Sequence, residues 1–447
     1  MKHDKALFMT IKKMVPAVLI AMISTGLGLI SLYRSKVPMI NDFGAMLTLG
    51  IVIAFMIGIF IFIPFLYIRD KHFPKEEKLK MSKKVKPNLF ISNFVGGVLK
   101  FKFVILSLAI VLAIVGIYVD QSAEAETNLE NFMPQDSEAL ADIKTLRNII
   151  GSTEQIAIII EDTYILSLEN LESIRDVENL LITTYEENII ETSSLLSLLE
   201  MMGLGNLEMI NETTLQGMPI DQRKLFINES YTKTVINVSI VEMSDEQFSS
   251  FINNLEKDIN LINKDSKISI TGQSVIDIEM MNALTTGRYE ITMIGLVLIF
   301  ISLLVIYRSF YRAILPIIPI VIIVGWSGGI MALFGISYTP LTATLGALIM
   351  GIGTEFTILI SERFEEEKLK TDNRQEAIKN TFSRMANPIL VSALTTMGGF
   401  SALIFSDFVI LSNFGIMTLV NLSLALLSTI VVLPTILAIT FTRKLRY

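Results

Sequence analysis

Thr344 to Glu367, TLGALIMGIGTEFTILISERFEEE, is long and apolar enough to begin a bilayer crossing, and it carries one carboxylate, Glu355, among apolar neighbours. A lone acid at membrane depth costs about 3 kcal/mol or more, so it is expected to face protein interior, a partner or water. Glu355 lies about two turns before Glu362, which puts it roughly 10 Å inside the end of the span at 1.5 Å per residue. It is therefore a candidate for taking a proton from one side of the membrane and releasing it to the other. The alternative is a helix-end acid that reaches the interface beside Arg363, a reach for which Glu is short.

Composition sets the class of protein around this helix. The chain has 447 residues, 51% of them hydrophobic, and a mean hydropathy of +0.57, too apolar for an ordinary soluble protein. Its net charge of −7 hides an asymmetry, because residues 121–288 hold 29 Asp/Glu against 10 Lys/Arg while the remainder is net +12. No basic face of the kind that binds nucleic acid is implied. With no cysteine there are no disulfides, thiolate metal sites or cysteine nucleophiles, and the only histidines, His3 and His72, sit in polar segments outside the spans. No cofactor, histidine-based metal cluster or Ser/His/Asp catalytic set is expected, and the chain does not read as an enzyme.

The hydropathy pattern predicts eight spans: Met14–Ser31, Phe43–Ile68, Phe103–Val119, Ile291–Tyr307, Ala313–Phe334, Pro340–Ser361, Met385–Phe405 and Phe414–Phe441. The linker Arg69–Lys102 has 10 Lys/Arg against 3 Asp/Glu, and the positive-inside rule makes it cytoplasmic. Both termini then lie in the cytoplasm, and the acidic block lies outside a cell (plasma) membrane that the chain crosses many times. Glu365, Glu366 and Glu367 with Lys368 and Lys370 read as a solvated charge run leading to an interfacial helix, Arg374–Arg384. The Lys80–Lys86 cluster reads as an orientation signal or a lipid-headgroup contact.

Within the acidic block, Glu154–Glu161 reads as a strand, Leu166–Leu181 as an amphipathic helix and Asn188–Thr192 as a strand. The order repeats with strand Lys233–Val241, helix Asp245–Ile259 capped by Ser244, and strand Lys267–Thr271. Two β-α-β units in one block predict a ferredoxin-like domain with an antiparallel sheet. The expected organisation is residues 1–68, two helices of a first bundle; 69–102, a basic linker; 103–119, a span; 120–288, an extracytoplasmic α+β domain; and 289–447, a five-helix bundle. The fold class is thus a polytopic α-helical membrane protein with an α+β ferredoxin-like insert.

The first two spans repeat the last two. Pro16 and Gly26 match Pro388 and Gly398 at an offset of 372, Phe43-Gly44 matches Phe414-Gly415 at 371, and Pro64 matches Pro434 at 370. Run backwards, the offset puts the copy of Glu355 at −17, before Met1. The chain thus reads as a duplicated bundle cut within its first half, whether by a truncated gene, a separately encoded partner or a misplaced start.

Ser392, Thr395 and Thr396, on the span after Glu355, have the spacing to present hydroxyls to that carboxylate. Back-bonding to their own helix is the alternative. Gly325, Gly328, Gly329, Gly346, Gly351, Gly353, Gly398 and Gly399 read as close-packing points between helices, and Gly351 and Gly353 also as loosening the helix beside Glu355. No Gly-Lys-Ser/Thr loop follows a strand, so an ion gradient rather than ATP is the expected energy source.

ETNLENFMPQDSEAL (126–140), GIGTEFTILISERFEEE (351–367) and NPILVSALTTMGGFSALIFSDFVILSNFGI (387–416) together resemble the resistance-nodulation-division (RND) superfamily, most closely its MMPL or hydrophobe/amphiphile efflux branch. The five-span unit also looks like a sterol-sensing domain. The resemblance covers essentially the whole chain as the back two-thirds of such a protein. It implies a proton-driven exporter of lipids or other amphiphiles, partnered by a missing N-terminal half or by further copies of itself. A non-transporting sterol-sensing-like lipid binder and a SecDF-like translocation accessory are the other readings. The family's Gly-rich turn followed by Asp-Tyr is matched by Gly351, Gly353, Glu355 and Phe356, with Glu in place of Asp and Phe in place of Tyr. Glu keeps a titratable carboxylate, while the phenolic partner is gone.

Overall fold

The computed structural model describes residues 2–72, 89–123, 125–126, 129–150, 154–241, 243–262, 266–371 and 373–440. The Lys80–Lys86 cluster and the tail TRKLRY lie outside the described residues. The chain forms two compact units, Met1–Met133 with Asn282–Tyr447, and Pro134–Met281. The first unit opens with α1 (Lys2–Ile30), a 3-10 turn (Ser31–Arg34) and α2 (Pro38–Ile57). Pro38 stands at the first turn of α2, where its missing N–H costs no hydrogen bond, so this span begins before the expected Phe43. The helix runs on through a π-helical turn (Gly58–Phe62) into Ile63–His72. Then come the short α3 (Leu89–Lys100) and α4 (Lys102–Asp120).

The second unit contains a four-stranded sheet of β1 (Gln155–Glu161), β2 (Ile189–Ser193), β3 (Lys233–Ile240) and β4 (Lys267–Thr271), in the order β2-β3-β1-β4. All three pairings are antiparallel, and Ile158 of β1 stands between Ile236 of β3 and Ile270 of β4. This is the ferredoxin-like order that the doubled β-α-β pattern predicts. Alternation buries Ile156, Ile158 and Ile160 with Ile236, Val238 and Ile240 on one face. Two helices supply the rest of this core: α5 (Leu168–Thr184) through Leu171, Ile174, Val177 and Leu181, and α6 (Asp245–Ile262) through Phe248, Phe251, Leu255 and Ile259. Their spacing is the helical three-and-four repeat. Ser167 caps α5 through the Asn170 N–H at 3.3 Å, and Ser244 pairs reciprocally with Gln247 at the start of α6. At the end of β4, Gly272 adopts φ 142°, and a Cβ there would lie 2.6 Å from the Gln155 carbonyl oxygen, so only glycine fits.

The first unit resumes with α7 (Arg288–Tyr307), α8 (Ile317–Leu333), α9 (Leu345–Lys368), α10 (Arg374–Ser401) and α11 (Val409–Leu427), which continues through a π turn (Ser428–Val432) into Leu433–Thr440. Among the described residues, 8 helices are long and apolar enough to cross a membrane. The expected separate interfacial helix Arg374–Arg384 is instead the start of α10, which runs unbroken past Pro388. Interior prolines are tolerated in membrane helices because neighbours re-satisfy the freed backbone groups. The charge run ahead of it is also not uniformly solvated. Glu367 is buried, with Arg363 at 2.6 Å, Lys370 at 2.8 Å and Arg384 at 3.8 Å, because α9 and α10 fold back on each other there.

The sequence repeat is a structural repeat. A Cβ on Gly44 would meet Leu32 Cβ at 2.6 Å, and one on Gly415 would meet Leu403 Cβ at 2.9 Å, residues related by the same offset of 371. Each hairpin closes with equivalent bonds, Ser35 N to the Leu32 oxygen and Ser406 N to the Leu403 oxygen. Both second helices carry a π turn at matching places, Gly58–Phe62 and Ser428–Val432. Phe43 packs edge-on against its own repeat mate Phe414, with ring centroids 5.8 Å apart, so the axis relating the hairpins passes close to this pair.

Candidate functional site

The site is built on α9, and the sequence makes that helix approachable. Thr25 of α1 donates to the Gly351 carbonyl at 2.9 Å as well as to Ala21 on its own helix at 3.0 Å. A Cβ on Gly351 would sit 2.7 Å from Thr25 Cγ2, so the glycine sets how near α1 can come. Gly346 does the same against α7, where its Cβ would meet Thr292 Oγ1 at 2.8 Å. Gly353 has only ordinary neighbours, Ile320 at 3.5 Å and Ile323 at 3.8 Å.

One turn beyond Gly351, Glu355 is half-buried and has no hydrogen-bond or ion-pair partner among the described residues. It borders a cavity of about 430 Å³ whose other walls come from α1 and from α2 with its π turn. Val18, Ala21 and Met22 form one side, and Phe55, Ile59 and Phe62 the other. Thr25 is the hydroxyl residue that shares this cavity with Glu355. A carboxylate in an apolar chamber, with one hydroxyl nearby and no fixed counter-charge, is suited to holding a proton or accepting one hydrogen-bond donor.

Ser392, Thr395 and Thr396 do not line this cavity. Ser392 and Thr395 face outward from the bundle. Thr395 bonds back to the Val391 carbonyl at 2.7 Å and Thr396 to that of Ser392 at 3.0 Å, which is how hydroxyls in a membrane helix satisfy themselves without a neighbour. A Cβ on Gly398 or Gly399 would meet nothing within 4 Å, so among the described residues these glycines are not packing points. The helix set against Glu355 is α1, the repeat copy of α10, and Thr25 is the residue that sequence reasoning missed. The signal was available, since the repeat makes α1 and α10 equivalent candidates to face α9.

Gly325 and Gly329 of α8 meet α4 backbone to backbone. A Cβ on Gly325 would lie 2.5 Å from the Ala113 carbonyl oxygen, and one on Gly329 2.8 Å from Gly116 Cα. The indole of Trp326 donates across the same seam to the Ala109 carbonyl at 3.1 Å. Among the described residues no group of three or more His, Cys, Asp or Glu is arranged to hold a metal ion.

This constellation, a repeated helical hairpin packed on a glycine-lined helix with one interior acid and a ferredoxin-like insert, defines a membrane protein of RND type. A family model described as the MMPL family matches residues 229–446, just under half of the chain, and together with the likenesses below it supports a membrane protein of the RND/MMPL type. The membrane protein MJ1562 of Methanocaldococcus jannaschii is 24% identical over 74% of this chain and 89% of its own length. MmpL4 of Mycobacterium leprae, a protein named for transport, is 25% identical over 38% of this chain but only 18% of its own length. Among solved structures, the hedgehog release protein Disp of the water bear Hypsibius dujardini superposes with a TM-score of 0.68 at 14% identity, covering 95% of this chain and 58% of Disp. SecDF of Thermus thermophilus, a translocon-associated protein, gives 0.54 at 15% identity, covering 98% of this chain and 50% of SecDF. At such identities the likeness is one of fold.

Proposed function

We propose that the chain works as a proton-coupled secondary transporter that exports lipids or other amphiphiles, with Glu355 as the proton-carrying group. The observation that carries this reading is the placement of Glu355: an acid without a partner among the described residues, within a membrane helix, opening on an apolar cavity. Such a residue is costly unless it serves a pathway. The two hairpins related by the repeat are the kind of internal duplication on which alternating access is built, which supports this reading. The MMPL assignment and the relatives named for transport support the same reading. In this reading residues 120–288 lie on the extracytoplasmic side of the cell membrane and handle the amphiphile as it leaves the bilayer.

The outward face of α10 supports the partner reading. Its repeat mate α1 packs on α9 beside Glu355, whereas Ser392, Thr395, Gly398 and Gly399 face outward with nothing set against them among the described residues. A helix like α9, from another segment or another copy, is what the repeat would place there.

Reconstitution into vesicles bearing an imposed pH gradient, with and without a candidate partner half, tests the mechanism through efflux of a fluorescent amphiphile. Wild type is expected to move the probe in proportion to the gradient, and Glu355→Gln to abolish that dependence. Transport by Glu355→Gln equal to wild type would refute the role of this residue. Saturable lipid binding with no flux in either protein would favour a sensing rather than a transporting role.

A further inference from the structure

A second polar cluster lies at the opposite end of the bundle from the charge run Glu365–Lys370. Asp120 is the last residue of α4 and Arg288 the first of α7, so this pair closes the base of the stretch that holds the inserted domain. Both are buried, at 5% and 7% exposure. The Asp120 carboxylate accepts from Arg288 Nη1 at 3.1 Å, the Tyr289 hydroxyl at 2.6 Å and the Tyr338 hydroxyl at 2.7 Å. Arg288 also donates from Nη2 to the Asp120 backbone oxygen at 2.9 Å and from Nε to the Thr285 carbonyl at 3.0 Å. Its guanidinium stacks 3.5 Å from the centre of the Tyr338 ring and 4.6 Å from that of Tyr289. Gly328 of α8 lies against Asp120 with no room for a side chain, so any larger residue there would displace the carboxylate.

Tyr338 belongs to the loop that leads into α9. That loop is stiff, since Thr339 and Thr342 are buried and bond reciprocally, and the Tyr338 carbonyl accepts from the Glu126 N–H at 2.8 Å. Helix α9 starts at Leu345, and Glu355 follows roughly 15 Å along it at 1.5 Å per residue. The cluster therefore joins the loop before the Glu355 helix to the end of α4 and the start of α7, beyond which the chain runs on to the inserted domain and from which it returns. A buried ion pair is weak evidence for stability, because apolar residues of similar volume often serve as well. What an ion pair with forked and hydroxyl donors adds is a fixed geometry among the segments it joins.

We propose that Asp120 and Arg288, read by α9 through Tyr338, are positioning residues that transmit movement of the Glu355 helix to the inserted domain. This inference rests on the proton-coupled reading above. Its test uses the absence of cysteine from the chain: Leu261→Cys in the inserted domain and Leu333→Cys at the end of α8 are both exposed positions, and spin labels there report the distance between domain and bundle. In lipid nanodiscs the double-labelled protein is expected to change its distance distribution between neutral and acid pH, and Glu355→Gln to lose that change. Tyr338→Phe keeps the ring stacked on Arg288 and removes only the hydroxyl link. It is expected to remain folded by Trp326 fluorescence and to titrate Glu355 normally by its carboxyl infrared band, yet to lose more than half of the distance change. Asp120→Asn is expected to lose all of it with the infrared band intact. A full distance change in folded Tyr338→Phe and Asp120→Asn would overturn the joint alone. No change in wild type, or a full change in Glu355→Gln, would overturn the proton-coupled reading and the joint with it.

Discussion

The seam between α4 and α8 gives the sharpest quantitative prediction. At Gly325 an added Cβ would sit 2.5 Å from the Ala113 carbonyl oxygen and 2.9 Å from its Cα, against 3.4 Å at the inner edge of ordinary contact. Gly325→Ala must therefore push the α4 and α8 backbones apart by roughly 0.9 Å, and inserting a methyl into a packed interior typically costs about 1–3 kcal/mol. A change of about 1.4 kcal/mol is tenfold in the folding equilibrium, so the effect is easily measured. Trp326 is the sole tryptophan and is itself hydrogen-bonded across the seam, so its emission reports the separation directly. Denaturant titration in mixed micelles is expected to give a lower midpoint for Gly325→Ala, with folded-state emission shifted as the Ala109 bond lengthens. Gly353→Ala is the control on α9, because its Cβ would find only contacts of 3.5 Å and 3.8 Å. That change should be neutral or stabilising by up to about 1 kcal/mol, since alanine is the better helix former. Equal stability and unchanged emission in Gly325→Ala would show that the seam is looser than these distances state.

Two further outcomes concern the interior of each unit. Tyr185 donates to Asp258 at 2.7 Å, and burial together with that bond pushes its phenol up to about 12 from an ordinary value of about 10. The folded state thus holds this proton more tightly than the unfolded state, so the contribution is fully present below about pH 10 and is lost as pH rises through about 12. Unfolding midpoints across that range should fall less steeply for Tyr185→Phe than for wild type, and parallel curves would refute the linkage. In α11, Asn421 is 3% exposed and neither atom of its amide has a partner among the described residues. Asn421→Leu is expected to raise stability by about 1–3 kcal/mol in the same titration. A loss of stability instead would place an ordered water or other hydrogen-bond partner at that amide.

The architecture was legible where one physical pattern dominated. Long apolar runs marked the spans because lipid demands them. Alternation in EQIAIIIE and KTVINVSI marked strands, because one face of a sheet had to be buried and Ile156, Ile158, Ile160, Ile236, Val238 and Ile240 indeed are. The break after Arg384 was misread because charge suggested a separate surface helix, whereas one helix runs from Arg374 to Ser401 behind Asn373, whose side chain caps it through the N–H of Gln375 at 3.1 Å. Glu367 was misread for the same reason. A run of like charges looks solvated in one dimension, and only the return of α10 brings Arg384 to it.

The hydroxyl assignment at Glu355 shows where sequence reasoning needed a second step. Ser392, Thr395 and Thr396 share a helix face with proper spacing, but spacing fixes only which residues point the same way and leaves the neighbour of that face undetermined. In a duplicated bundle the neighbour is set by the pseudo-symmetry axis, and the contact of Phe43 with Phe414 locates that axis. Once it is placed, the helix against Glu355 is α1, while α10 meets α9 toward its charged end, and the same operation carries α9 onto a second position beside α10. The Asp120 cluster was hidden for a different reason: its members are far apart in sequence, between Asp120 and Tyr338, and each alone reads as an ordinary polar residue at a helix end or in a loop. Only the convergence of α4, α7 and the loop before α9 turns four ordinary residues into one buried joint, so a single hydroxyl deletion at Tyr338 is a sharper probe of coupling than removal of either charge.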